Sequence, residues 1–174
     1  MISHQPGKII LETARLFLRE ITPEDAQFAY DLNLDPDVIR YTGDSAFTSV
    51  SDARSFLEKY DHYTKYGFGR WAVADKNSHE LLGWCGLKYT PENDEHDVGY
   101  RFFKRNWNRG YATESAKACV DYGFTSLGLQ TIVGRAMREN LASIKVLQKA
   151  GLHYWKDDKC GGEDGVIYRI TQTP

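Results

Sequence analysis

The chain has 174 residues, 41% of them hydrophobic, and a formal charge of -2 at pH 7. That suffices for one domain with a sizeable core, is too little for two of ordinary size, and leaves no basic field to hold a nucleic-acid backbone. Cys85, Cys119 and Cys160 are an odd set without metal-type spacing and fit reduced thiols, and no stretch is apolar and long enough for a secretory signal or a membrane span. A cytoplasmic protein with no nucleic-acid or membrane partner is expected, with residues 1–8 as a flexible tail and 9–172 as a single domain.

Residues 15–21, Arg-Leu-Phe-Leu-Arg-Glu-Ile, read as a first strand. Thr22-Pro23-Glu24-Asp25 then caps a helix, with Pro23 suited to the first helical position and Ala26, Ala29, Tyr30 and Leu34 as its apolar stripe. Asp35-Pro36 breaks it, and a loop around Tyr41-Thr42-Gly43 leads to a second helix in which Ala53, Phe56, Leu57, Tyr60 and Tyr63 recur at helical spacing. Segments 67–74 and 81–87 read as a hairpin about Lys76-Asn77-Ser78, and another strand runs from about His96 to Phe103. From Gly110 to Ser126 the apolar positions Ala112, Ala116, Cys119, Val120, Gly123 and Phe124 fit a helix lying on a sheet. Residues 131–137 form the next strand, a helix follows and ends near Gly151, and 152–156 and 165–170 are closing strands around a polar loop. Alternating strands and helices behind a helix pair and a hairpin predict a mixed α/β sheet of six to seven strands with helices on both faces.

The segment 105–115, Arg-Asn-Trp-Asn-Arg-Gly-Tyr-Ala-Thr-Glu-Ser, is a small-residue turn feeding directly into a helix. The first N–H groups of a helix lack internal partners and sit at the positive end of its dipole, so a pyrophosphate suits this place. Gly110 and Ala112 let a ligand approach the main chain. Upstream lies the strand Asp97-Val98-Gly99-Tyr100-Arg101-Phe102. Downstream, a helix running from Asn140 past Ser143 to Ala150 is closed by Gly151.

These three pieces, with the opening 11–19 stretch, Pro23-Glu24-Asp25-Ala26 and Asp35-Pro36-Asp37-Val38, resemble the GNAT superfamily of N-acetyltransferases, in its RimJ/RimL-like branch, over about 11–170. The resemblance implies the GNAT fold, a mixed sheet splayed at the cofactor site, with acetyl-coenzyme A as acyl donor and no metal. It implies that Trp107, Asn108, Arg109, Gly110, Tyr111, Ala112 and Thr113 hold the pyrophosphate, that Gly99, Tyr100, Arg101 and Phe102 pair with the pantetheine amides, and that Asn140 and Ser143 face the cofactor arm. The ligand's chemistry agrees: a pyrophosphate followed by a peptide-like arm needs an anion nest beside an unpaired strand edge. Asn108 stands where the family often has glycine, and asparagine tolerates the left-handed conformation better than most residues.

Acyl transfer needs a neutral amine. A lysine-type amine pays about 4–5 kcal/mol for this at pH 7 and an N-terminal α-amine only about 1–1.5 kcal/mol, so a general base matters chiefly for the former. Asp97 and Glu95 are the base candidates, against the reading that they are a solvated acidic strand start. Many family members carry a tyrosine acid on the last helix, where this chain has Leu147; Ser143 is the donor implied for the RimJ/RimL-like branch, or else a hydroxyl that packs or bonds the helix backbone. A backbone N–H near Tyr100 or Arg101 is expected to meet the oxyanion. Tyr41, Trp71, Trp84 and Tyr89 are candidates for the acceptor pocket, although strand aromatics are more often core. His62 and His96 have no second ligand at metal spacing, and Glu114 favours the helix start without doing chemistry. The expected activity is acetylation of a protein or peptide N-terminus; the alternatives are a polyamine or aminoglycoside acceptor, or a non-catalytic acyl-coenzyme A sensor. Exposed sheet edges make a homodimer reasonable.

Overall fold

The computed structural model describes residues 7–173. Eight strands form one sheet: β1 (Ile9–Glu12), β2 (Leu16–Glu20), β3 (Arg70–Asp75), β4 (Leu81–Thr90), β5 (Glu95–Phe102), β6 (Thr131–Met137), β7 (His153–Cys160) and β8 (Glu163–Thr171). Their spatial order is β1-β2-β3-β4-β5-β6-β8-β7. Every neighbouring pair is antiparallel except β5–β6, which is parallel. The sheet thus has one strand more than the six to seven expected. The extra one, β1, is four residues on the sheet edge with Ile9 exposed, too short and too lightly buried to leave an alternating pattern. Expected tail residues 1–6 lie outside the described residues, and pairing already starts at Lys8, whose carbonyl accepts from the Glu20 N–H at 2.9 Å.

The helices are α1 (Ala26–Leu34), α2 (Pro36–Ile39), α3 (Val50–Glu58), α4 (His62–Tyr66), α5 (Tyr111–Thr125) and α6 (Leu141–Lys149). A single turn of 3-10 helix, Pro23–Asp25, precedes α1. Arg19 on β2 grips Asp25 with both guanidinium arms at 2.7 and 2.8 Å and so ties the start of α1 to the sheet. The second predicted helix is in fact two, α3 and α4, broken at Lys59–Asp61. Tyr60 and Tyr63, which match the helical period, pin the start of β3 instead: the Arg70 N–H donates to the Tyr60 hydroxyl at 2.9 Å, and the Tyr63 hydroxyl donates to the Arg70 carbonyl.

Strand alternation divides the side chains between two layers. Trp71, Val73, Cys85, Leu87, Val98 and Phe102 face α5 and join Ala116, Cys119 and Val120 in the core, each large apolar group contributing about 1.5–3 kcal/mol by burial. Arg70, Trp84, Asp97, Gly99 and Arg101 lie on the opposite face, under α1 and α3. No helix among the described residues is long and apolar enough to cross a membrane.

Candidate active site

Parallel β5 and β6 meet at one position, Asp97 opposite Val133, and diverge beyond it. The β4–β5 ladder fixes which main-chain groups face the resulting gap. The Phe103 N–H donates to the Leu82 carbonyl directly across at 3.1 Å, so by antiparallel alternation Arg101 and Gly99 also spend their N–H and C=O groups on β4. Tyr100 and Phe102 point theirs into the gap. Of the four residues expected to pair with a pantetheine arm, Gly99 and Arg101 are therefore corrected: their main chains are already used within the sheet. The Phe102 carbonyl accepts from the Trp107 indole N–H at 2.9 Å, which closes the end of the gap. Tyr100 is left with both main-chain groups facing the opening.

At that end stands the start of α5. Asn108 and Gly110 have φ of 60° and 79° and flank Arg109, a left-handed turn that gathers successive N–H groups into a concavity. No side chain caps the N-terminus of α5, so the N–H groups of its first turn, at Tyr111, Ala112 and Thr113, face outward. Asn108, Arg109 and Gly110 are exposed. The loop thus fits a pyrophosphate by main-chain donors rather than by side chains. Arg15, which the sequence offers only as the start of a strand, braces it: its guanidinium donates to the Arg109 carbonyl at 3.0 Å, stacks over Tyr111 at 4.6 Å and pairs with Glu114 at 2.7 Å. Burial pushes the Glu114 carboxyl up, but hydrogen bonds from Thr13 and Arg15 outweigh it and hold the group below the usual carboxylate range. Glu114 is a clamp between the β1–β2 turn and α5.

On the third side, the Asn140 side chain caps α6 by accepting from the Ser143 N–H at 3.2 Å. The Tyr100 hydroxyl donates to the Ser143 carbonyl at 2.7 Å and lies 3.0 Å from the Ser143 hydroxyl. Because Tyr100 has one proton to give, the Ser143 hydroxyl is the donor in that second contact. Burial raises the Tyr100 phenol above its ordinary value and keeps it neutral. Leu147 is buried against β6 and carries no polar group, so Ser143 and Tyr100 are the hydroxyls here.

Across the sheet a cavity of about 290 Å³ opens between α1, α3 and the strands. Ala29, Leu32, Phe47, Phe56 and Leu57 form apolar walls, and Arg70, Trp84 and Arg101 form the floor. Both guanidiniums lie over the Trp84 indole, at 5.4 and 5.3 Å. Arg70 reaches across Gly99, where a Cβ would come within 2.7 Å of it, and donates to the Gly86 and Asp97 carbonyls and the Asp97 carboxylate, the last at 2.6 Å. Arg101 donates to Asn33 and Asp44, both at 2.6 Å.

Of the four aromatics expected to line an acceptor pocket, Trp84 lines this cavity. Trp71 is corrected: at 0% exposure it packs edge-on against Tyr122 of α5, because strand parity puts it on the other face. Tyr89 belongs to a separate cluster with Tyr66 and His96 and donates to Asp94, and Tyr41 lies beside Arg40; neither lines the cavity. Asp97 and Glu95 are not free solvated carboxylates, whereas Glu92 and Asp94 before them are exposed. Asp97 pairs with Arg70, and Glu95 pairs with Arg135. Arg70, Asn33 and Asp44 carry no motif, Arg101 is singled out in the sequence only for its main chain, and the convergence of the four side chains is visible only in three dimensions.

Residues 15–153 match the model of the acetyltransferase (GNAT) domain. The uncharacterized N-acetyltransferase p20 of Bacillus licheniformis is 36% identical over 149 residues, covering 82% of this chain and 84% of p20. The crystal structure of a GNAT-family acetyltransferase from Bacillus anthracis superposes with a TM-score of 0.77 over 94% of this chain and 97% of that one, at 28% identity. A spermidine N-acetyltransferase from Vibrio cholerae, in complex with CoA and spermine, shares the fold at 19% identity, with a TM-score of 0.77 over 92% and 97% of the two chains.

Proposed function

The chain belongs to the GNAT acetyltransferase family, and on that premise we propose that it acetylates an α-amine, in the manner of the RimJ/RimL-like branch, rather than a polyamine. The observation that carries this reading is the pairing of Asp97 with Arg70 and of Glu95 with Arg135. A carboxylate in such a pair gives up its ion pair when it takes a proton, and it offers no acidic pocket to a polycation. An α-amine needs little help to lose its proton, whereas a lysine-type amine needs a base worth about 4–5 kcal/mol. We accordingly give Asp97 the task of positioning Arg70.

Acetyl-coenzyme A, when bound, supplies an activated acyl group and a good thiolate leaving group. The nest at 108–110 and the first turn of α5 hold the pyrophosphate, with Arg15 fixing the loop. The Tyr100 main chain meets the arm in the gap, and its N–H is the donor aimed where charge develops on the carbonyl oxygen. Asn140 orients the first turn of α6. The amine nitrogen attacks the thioester carbon, the C–S bond breaks as the amide C–N bond forms, the amine proton passes to water, and the Ser143 hydroxyl, turning from Tyr100, donates to the departing thiolate and regains a proton from water.

The test is thiol release from acetyl-coenzyme A over a panel of N-terminal peptides, amino acids, spermidine and aminoglycosides. The reading expects the largest kcat/KM with an α-amine. A larger value with spermidine or an aminoglycoside would overturn it, and silence across the panel would remove the catalytic assignment.

A further inference from the structure

The floor of the cavity holds more positive charge than an amine acceptor calls for. Arg70 and Arg101 both lie over Trp84, and their anionic partners are unequal. Asp97 is 17% exposed and is held on the strand beside Arg70. Asp44 is 55% exposed, stands in the loop between α2 and α3, and reaches Arg101 from outside through a single oxygen. The Arg101 side chain itself is only 9% exposed. Its Nη1 is taken by Asn33 and its Nη2 by Asp44, while its Nε is buried with no partner among the described residues. Nε and Nη2 share one edge of the guanidinium, the edge that grips a carboxylate with two parallel hydrogen bonds. Half of that grip is unused, and the other half is held by an exposed loop residue. A buried donor left unpaired costs free energy that a ligand oxygen restores.

We propose that the acceptor carries a carboxylate close to its α-amine and an apolar side chain, and that Arg101 binds this carboxylate on its Nε–Nη2 edge in exchange for Asp44. The inference rests on the N-acetyltransferase reading for its reaction. With Asp44 displaced, Arg70, Asp97 and Arg101 leave the floor with one net positive charge, matched by the ligand's anion. The walls built from Leu32, Phe47, Phe56 and Leu57 receive the apolar side chain. Arg101 directly follows Tyr100, whose main chain faces the cofactor gap, so the carboxylate anchor and the acyl carbon lie on neighbouring residues of one strand. The carboxylate can be that of a free apolar amino acid or an Asp or Glu side chain beside a peptide N-terminus.

Thiol release is measured with L-phenylalanine against L-phenylalaninamide, and with Ala-Asp-Phe-amide against Ala-Asn-Phe-amide. In parallel, calorimetry in the presence of coenzyme A compares N-acetyl-L-phenylalanine with its carboxamide, which reads carboxylate recognition without turnover. The expected result is roughly a tenfold or greater preference for the carboxylate in kcat/KM or affinity, with whichever pair shows it naming the source. Arg101→Gln should bring that ratio to about one, and Asp44→Asn should raise it by removing the competing anion. A merely structural Arg101 would lower both members of each pair equally. Equal rates and affinities for carboxylate and carboxamide would overturn the inference while leaving the acetyltransferase in place. Selective binding without any thiol release would do the reverse.

Discussion

The two sides of β5 offer different kinds of groups. Towards β6 the available groups are main chain: the Tyr100 N–H and carbonyl and the N–H groups of a left-handed turn and a helix start. Under α1 and α3 they are side chains, Arg70 with Asp97 and Arg101 with Asn33 and Asp44, each joining distant segments. A main-chain site is indifferent to most substitutions and breaks only where the backbone or its access changes. A side-chain site can be retuned one residue at a time, as suits an enzyme family that keeps one donor and varies its acceptor.

Gly110→Asp is the strongest way to break the first side. It keeps a residue that tolerates the φ of 79° but sets a negative charge where the pyrophosphate is proposed to bind. Acetyl-coenzyme A should bind on the order of a hundredfold more weakly, read by calorimetry, with the circular dichroism of the fold unchanged. Unaltered affinity would mean that the phosphates go elsewhere.

Gly99→Ala probes the second side with a smaller blow. Its new Cβ would sit 2.7–3.0 Å from the Arg70 guanidinium, which three hydrogen bonds hold in place. Since the Gly99 main chain is spent on β4, acetyl-coenzyme A affinity should stay while kcat/KM for the acceptor falls about tenfold. A parallel loss of cofactor affinity would show that the two sides are not separable.

The contrast also explains what could be read in advance. The loop 107–113, the strand 97–102 and the helix from Asn140 are contiguous, and the turn geometry follows from residue type, down to the left-handed Asn108. The acceptor side has no such signature. Trp71 and Trp84 look alike as strand aromatics, and only the registers of β3 and β4 put one under α5 and the other over the cavity. The break between α3 and α4 was hidden because Tyr60 and Tyr63 keep helical spacing while their hydroxyls serve β3. The strand position of Arg101 suggests a backbone donor, whereas its main chain is committed to β4 and its side chain reaches Asn33, 68 residues away in sequence.

Asp97→Asn sharpens the boundary between positioning and base catalysis. If Asp97 orients Arg70, kcat/KM should drop a few-fold, by about the same factor at every pH, because one ion pair of a larger arrangement is lost. If it were the base, the loss would deepen as pH falls below the amine's pKa. A pH–rate profile with an α-amine acceptor separates the two.

The smallest effect concerns stability behind the acceptor side. The His62 ring, packed among Tyr66 and Phe68, accepts the Tyr89 N–H on Nε2 at 3.1 Å, an arrangement open only to the neutral imidazole. Burial first, then the charges of Arg70 and Lys88, hold its pKa below the ordinary 6.5, against smaller opposing contributions from Asp61 and Asp97. The unfolded chain therefore takes up a proton before the folded one does. Stability from this group is complete above pH 6.5 and is lost as pH falls through the folded value. The melting temperature should decline from pH 7 to pH 5, by about 2–4 °C for each kcal/mol lost, and His62→Gln should flatten that decline without abolishing it, because burial holds His96 low as well. A variant as steep as the native chain would mean that the Tyr89 contact tolerates the charged ring, and that the packing beneath β4 is looser than the rigid floor on which the acceptor side depends.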